Sequence, residues 1–341
     1  MASRRAFTGG LPVVNTAGGL LVLSIPPIVL FGLGAVAAVR EPGTVVIGGA
    51  LLAATLAIAG AVRNEWALLR PMSELAVDDP RDATLDASAV FAGTLLALGG
   101  VVELGLSPIV AAALVGIISV VVAPDRAVPA YCGAFVGMTS PTLFPAYWYA
   151  VLAAGVAALV YVVAYPSFHG VGGKLGTTAF VGTTLTVLVT GGTFHSGQLP
   201  DAGVSIRVVA YSIVGAMVTY AIQAELGRSA VLASGLVGAA GGTTIPIVLP
   251  DGADVIAAGV FAASFAGMSD PRRISTVAWI GLTGLLVGLT VVFSAPYIGG
   301  SGGKLGTIAF GSSLAVHAVL QRLHRVRLRR RFDHYPRRDT T

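Results

Sequence analysis

Gly172-Gly173-Lys174-Leu175-Gly176-Thr177 recurs 130 positions later as Gly302-Gly303-Lys304-Leu305-Gly306-Thr307, and each copy runs on through one residue into Ala-Phe. The match extends outward at the same offset. Pro166 and Gly170 pair with Pro296 and Gly300, while Phe135, Gly137-Met138-Thr139 and Pro141 pair with Phe265, Gly267-Met268-Ser269 and Pro271. Further upstream the offset is 122: Glu103-Leu104-Gly105, Ser107, Ala111 and Leu114-Val115-Gly116 return as Glu225-Leu226-Gly227, Ser229, Ala233 and Leu236-Val237-Gly238. Three blocks in one order describe a duplicated unit, residues 86–200 and again 201–325, preceded by residues 1–85 and followed by a basic tail, 326–341.

The surrounding composition is that of a membrane. Of 341 residues 55% are hydrophobic and 11% charged, whereas soluble domains carry about 25% charged residues. Apolar stretches of about 18 residues or more recur, each long enough to cross a hydrocarbon core of roughly 30 Å as a helix. The alternating pattern of a β-barrel is missing, so the spans are expected to be helical. The fold expected is an all-α polytopic membrane protein: two N-terminal transmembrane helices, about 19–39 (interrupted by Pro26-Pro27) and 44–62, then two repeats of about five helical segments. In the first repeat these are about 87–104, 107–123, 127–138, 146–165 and 176–190; in the second, about 204–226, 229–249, 255–268, 274–293 and 306–320. A polar stretch between Arg63 and Asp86 reads as a cytoplasmic loop or surface helix.

The short third segment decides the topology. If it crosses, each unit has five spans and the copies are inverted; if it re-enters, each has four and the copies are parallel. Inversion is preferred, because it places Arg272-Arg273 inside and the acidic loop Asp251 to Asp254 outside. Twelve crossings with both termini cytoplasmic in the cell membrane follow. The formal net charge of +5 resides in the tail: eight basic residues lie between Arg322 and Arg338, and the rest of the chain has 13 basic residues against 14 acidic. That distribution speaks for topogenic charge and lipid headgroups rather than nucleic acid. A twin-arginine export signal over Arg4, Arg5 and Phe7 is rejected, since the following apolar stretch is too long and many spans come after it.

Lys174 and Lys304 are the only lysines in the chain. Gly-Gly before each leaves backbone free to turn, and each lysine opens an apolar span whose first N–H groups lack intrahelical acceptors. Ammonium, helix dipole and unpaired N–H groups together form an anion-binding arrangement. The expected substrate-binding set is therefore Gly172, Gly173, Lys174, Gly176 and Thr177 with Gly302, Gly303, Lys304, Gly306 and Thr307. Thr139, Ser140, Ser269 and Asp270 join it at the ends of the short segments, where a proline stops each helix. The competing readings of the lysines are snorkelling to headgroups and pairing with the carbonyl end of a broken helix as structural glue. Glu103 and Glu225 are candidate proton or ion sites by type, although their place before Leu-Gly suggests the interface. Gly241-Gly242-Thr243-Thr244, with Pro246 after it, interrupts the second span of unit two only, and Gly299 to Gly303 reads as a flexible lead to the second motif.

No His or Cys spacing fits a metal site, no nucleophile elbow occurs, and Leu after each lysine departs from the Walker pattern. Neither a catalytic residue nor a cofactor is expected. The function expected is a permease, carrier or channel-like, for a small polar and anionic solute, with the lipid bilayer as its partner and self-association into a homo-oligomer left open. A non-transporting scaffold or subunit of a larger membrane complex is the alternative.

Overall fold

The computed structural model describes residues 11–68 and 80–333. Residues 69–79, in the polar stretch expected as a cytoplasmic loop or surface helix, Arg4 and Arg5, and the tail beyond 333 lie outside the described residues. Among the described residues twelve α-helices follow one another: α1 Leu11–Arg40, α2 Val45–Trp66, α3 Pro80–Val102, α4 Pro108–Val122, α5 Ala127–Gly137, α6 Tyr147–Val163, α7 Lys174–Val189, α8 Ala202–Tyr220, α9 Ala230–Val248, α10 Ala253–Gly267, α11 Val277–Phe293 and α12 Lys304–Asp333. A π-helical stretch, Ala221–Glu225, extends α8. No strand occurs among the described residues, apart from one isolated bridge between His195 and Gly299.

The surface is that of a membrane protein. Among the described residues five helices are long and apolar enough to cross a bilayer, and five more are apolar but shorter, 10–17 residues. Large apolar side chains point outward, Val46 at 85% and Ile247 at 81% exposed, whereas hydroxyls such as Thr183, Ser234, Ser264 and Thr307 are fully buried. Water would reverse that arrangement; hydrocarbon rewards it, because a hydroxyl on a packed helix bonds a carbonyl of the preceding turn. Thr94, Thr184, Thr219 and Thr290 all do so.

Contacts at the helix ends define two rims. At the first, Arg126 pairs with Asp82 and Asp86 at the start of α3, both at 2.6 Å. At the second, the Tyr147 hydroxyl donates to Glu103 just past the end of α3, 2.8 Å. The stretch holding α5 therefore passes from one end of α3 to the other, about 34 Å at 1.5 Å per residue. Unit two behaves likewise: Gly252 abuts Val204 at the start of α8, while the Tyr220 hydroxyl donates to Ile274 O at its end, 3.2 Å. The rims are swapped, however. Arg273, next to Ile274, pairs with Glu65 at the end of α2 and donates to His169 O beyond α6, so the end of α8 shares the rim where α3 begins.

The change of offset from 122 to 130 resolves into two insertions of one helical turn. Helix α4 has 15 residues and α9 has 19; α5 has 11 and α10 has 15. Four residues turn a helix by a little more than a full revolution, so the faces that pack are kept. Both extra turns project at the second rim. The paired turns adopt paired backbones as well: Phe168 and Ile298, the two non-glycine residues with positive φ among the described residues, are 54° and 51°.

Four boundaries differ from expectation, the first being that of α3, which begins at Pro80 within the stretch expected as a loop rather than near residue 87. Helix α1 runs unbroken through Pro26 and Pro27, with Pro27 and Phe31 seated on Gly311 of α12. Helix α9 runs through Gly241 to Pro246, because Thr243 and Thr244 turn their hydroxyls back onto Ala239 O and Ala240 O. And α12, expected to end near Leu320, continues to Asp333.

Candidate functional site

The two lysine motifs meet at the centre. Gly176 and Gly306 lie face to face where the first turns of α7 and α12 cross, and a Cβ on either would stand 2.5 Å from the Cα of the other. Gly173 (φ 85°) and Gly303 (φ 81°) are left-handed residues ahead of these helices, and a Cβ on either would collide with the opposite helix, near Phe310 N and Phe180 N respectively. The glycines thus serve backbone contact between two helix starts as well as the turn itself.

The ends of the short helices bind the same strands of chain reciprocally. Gly172 N–H donates to Ser269 Oγ (3.1 Å) and Gly302 N–H to Thr139 Oγ1 (3.2 Å). Asp270 N–H donates to Gly170 O (2.9 Å) and Ser140 N–H to Gly300 O (2.8 Å). Thr177 and Thr307 are fully buried and bond back to Gly173 O and Gly303 O, so their hydroxyls serve their own helices. The segment Gly299 to Gly303, expected as a flexible lead, is held by His195, Ser140 and Thr139.

Each lysine reaches back to the carbonyl end of the preceding helix. Lys174 Nζ donates to Tyr165 O at 2.6 Å, and Lys304 Nζ to Ser294 O and Tyr297 O at 2.8 and 2.5 Å. Both side chains are half-buried. An ammonium there satisfies carbonyls that the helix leaves without donors and meets the negative end of the helix dipole. Of the readings the sequence leaves open, this contact is the carbonyl-capping one, and it leaves the ammonium charge without an acid partner among the described residues.

A cavity of about 880 Å³ opens at the second rim and ends at this crossing. Asp254 and His195 stand on its wall; its floor is formed by Phe135, Phe265, Lys304 and Gly306, and Lys174 is not part of its lining. Leu305 and Gly306 occupy the first turn of α12, where N–H groups have no intrahelical acceptor. Gly242 and Pro246 of α9 add a polar spot to the wall, since Pro246 lacks the N–H that would bond Gly242 O. Beneath the floor, Tyr131, Phe135, Phe261 and Phe265 form a buried aromatic cluster, with ring centroids 4.4 to 4.7 Å apart along the chain of closest pairs. The Tyr131 hydroxyl shares a 3.0 Å bond with the Ser234 hydroxyl, which is bonded in turn to that of Ser264 at 2.8 Å.

Glu103 and Glu225 are exposed at opposite rims, and the structure brings neither to a lysine. Ser140 lines the cavity, whereas Asp270 lies at the first rim, bonded to Arg272 at 2.7 Å. There the Arg272 guanidinium holds the Asp270 carboxyl below the usual carboxylate range. The aromatic cluster was not singled out from the sequence, nor was the first-rim set in which Arg273 pairs with Glu65 and meets His317 Nε2 at 3.3 Å. Phe135 and Phe265 do occupy matched positions and so carried a usable signal; Glu65, Arg273 and His317 come from distant helices without a shared motif. No family model matches the chain, and neither the curated proteins nor the solved structures contain a significant match.

Proposed function

We propose that the protein is a permease for a small anionic or carboxylate-bearing solute, built as two inverted repeats with twelve crossings. The observation that carries the reading is the cavity between the units, which ends on Lys304, on the first turn of α12 and on the Phe135–Phe265 pair. Its walls are mainly apolar with a few converging polar groups, as small-solute sites are. A helix start beside an uncompensated ammonium favours negative charge at the floor.

Inversion is supported by the swapped rims, by the five-helix course of each unit and by the reciprocal bonds at the centre. Among the described arginines, Arg40 and Arg207 lie toward the second rim and the others toward the first, while Asp201, Asp251 and Asp254 gather at the second. By the positive-inside rule the first rim is then cytoplasmic and the cavity faces outward in the cell membrane. Exchange of the solute to the inside requires the reciprocal arrangement, with Lys174 and the first turn of α7 forming the exposed floor.

The second reading, a membrane scaffold, draws on the carbonyl contacts of both lysines. Proteoliposomes separate the two. Purified protein should raise the uptake of at least one of formate, acetate, nitrate or lactate above that of protein-free vesicles, and Phe135→Leu, which keeps most of the buried volume, should change that rate. In a Cys132→Ser background, Ala257→Cys, on the cavity wall, should react with an impermeant maleimide from one side only. Wild-type vesicles no leakier than empty ones to all four anions, with Ala257→Cys silent from both sides, would refute the permease.

A further inference from the structure

A second polar cavity, about 570 Å³, lies at the first rim between the start of α11 and the distal half of α12. Its lining includes Arg272, Arg273, His324 and Arg325, together with Ser275, Thr276 and Trp279, and contains no acid. The acids nearby are already engaged. Asp270 holds Arg272 and Glu65 holds Arg273. Arg325 and the neighbouring Arg322 are exposed and form no ion pair with any described residue, so among the described residues the positive charge of the pocket is uncompensated.

The capping residue Thr276 and the first-turn Trp279 of α11 line the same space. Thr276 caps the helix by accepting from Trp279 N–H, 3.4 Å, which leaves the N–H groups of Val277 and Ala278 without intrahelical acceptors. Guanidinium groups, hydroxyls and a helix start are the donors a phosphate takes. Trp279 is half-buried at the same rim, the depth at which tryptophan marks the boundary of headgroup and acyl chain.

We infer that this pocket binds a phosphate group, and its place at the headgroup level assigns that group to an anionic phospholipid. A basic pocket between helices on the side of the positive rim is where such headgroups lodge. The site is separate from the central cavity and does not depend on what the permease carries.

Native mass spectrometry of protein taken from vesicles of equal phosphatidylglycerol and phosphatidylcholine tests it. Wild-type protein should retain phosphatidylglycerol in preference to phosphatidylcholine. Arg325→Ala should lower that preference about fivefold, the worth of one basic residue near an anionic surface, and Arg325→Lys should largely keep it. Neither change touches a described partner, so folding is not at stake. Arg207→Ala, at the other rim, is the control and should have no effect. A parallel arm adds inorganic phosphate to delipidated protein and follows the melting temperature against chloride of equal ionic strength. Protection by phosphate that Arg325→Ala abolishes, with lipid retention unchanged by the mutation, would move the source from lipid to free phosphate. An equal loss in Arg207→Ala, or no response in either arm, would overturn the site.

Discussion

Gly306→Ala is expected to cost about 3 kcal/mol or more and to leave little folded protein. The added methyl would stand 2.5 Å from Gly176 Cα, about 1 Å inside normal carbon contact, and a backbone atom has no rotamer with which to yield. Overpacking elsewhere in a core costs about 1–3 kcal/mol because side chains shift; here two helices must part, and with them the bonds from Thr139 and Ser269 to the motif backbones. Gly176→Ala meets Gly306 in the same way and should be equally damaging. Gly99→Ala, with no atom near its Cβ position, should be tolerated. Size-exclusion chromatography and thermal unfolding in detergent give the comparison, and a monodisperse Gly306→Ala protein that melts like the wild type would contradict the packing described.

Lys304→Met should destabilise more than Lys174→Met, because Lys304 satisfies two carbonyls and Lys174 one. A charge-assisted hydrogen bond contributes about 1.5–3 kcal/mol, and a buried carbonyl left bare costs about 1–3. Relief of the half-buried ammonium's own desolvation offsets part of this. Net losses of about 3 kcal/mol at Lys304 and about half that at Lys174 are expected from unfolding by denaturant or heat. Arginine is no substitute, since a planar guanidinium cannot aim at two carbonyls around a point. The same variants separate structural from transport roles: flux lost with full stability would make the ammonium a solute ligand alone, and stability lost with flux intact in the surviving protein would make it a cap alone.

The helical segments of the repeats were legible because each rests on local information: apolar runs bounded by Gly, Pro and charge. Their ends agree with the observed helices to within a few residues, except at α3, which begins seven residues early at Pro80, and at α12, where the basic stretch after Leu320 continues the helix. The partners of the site were not legible. Met138-Thr139 and Met268-Ser269 read as turn ends with hydroxyls to offer, yet those hydroxyls are spent on Gly302 N–H and Gly172 N–H in the other unit. Glu103 and Glu225 kept the environment their Leu-Gly context suggested and stand apart from the lysines.

The recurrence of the six-residue motif, helical class, the uniqueness of the two lysines and their setting between glycines are properties of the sequence by itself, since each depends on residue identity and spacing along one chain. Which rim holds the open cavity, what each ammonium touches and which glycines face one another were decided by tertiary structure. Those depend on packing across units, where one extra turn in α9 and in α10 is enough to make otherwise matched halves unequal. Thus Lys304 lines a cavity and Lys174 does not line it, although the six residues of their motifs are identical.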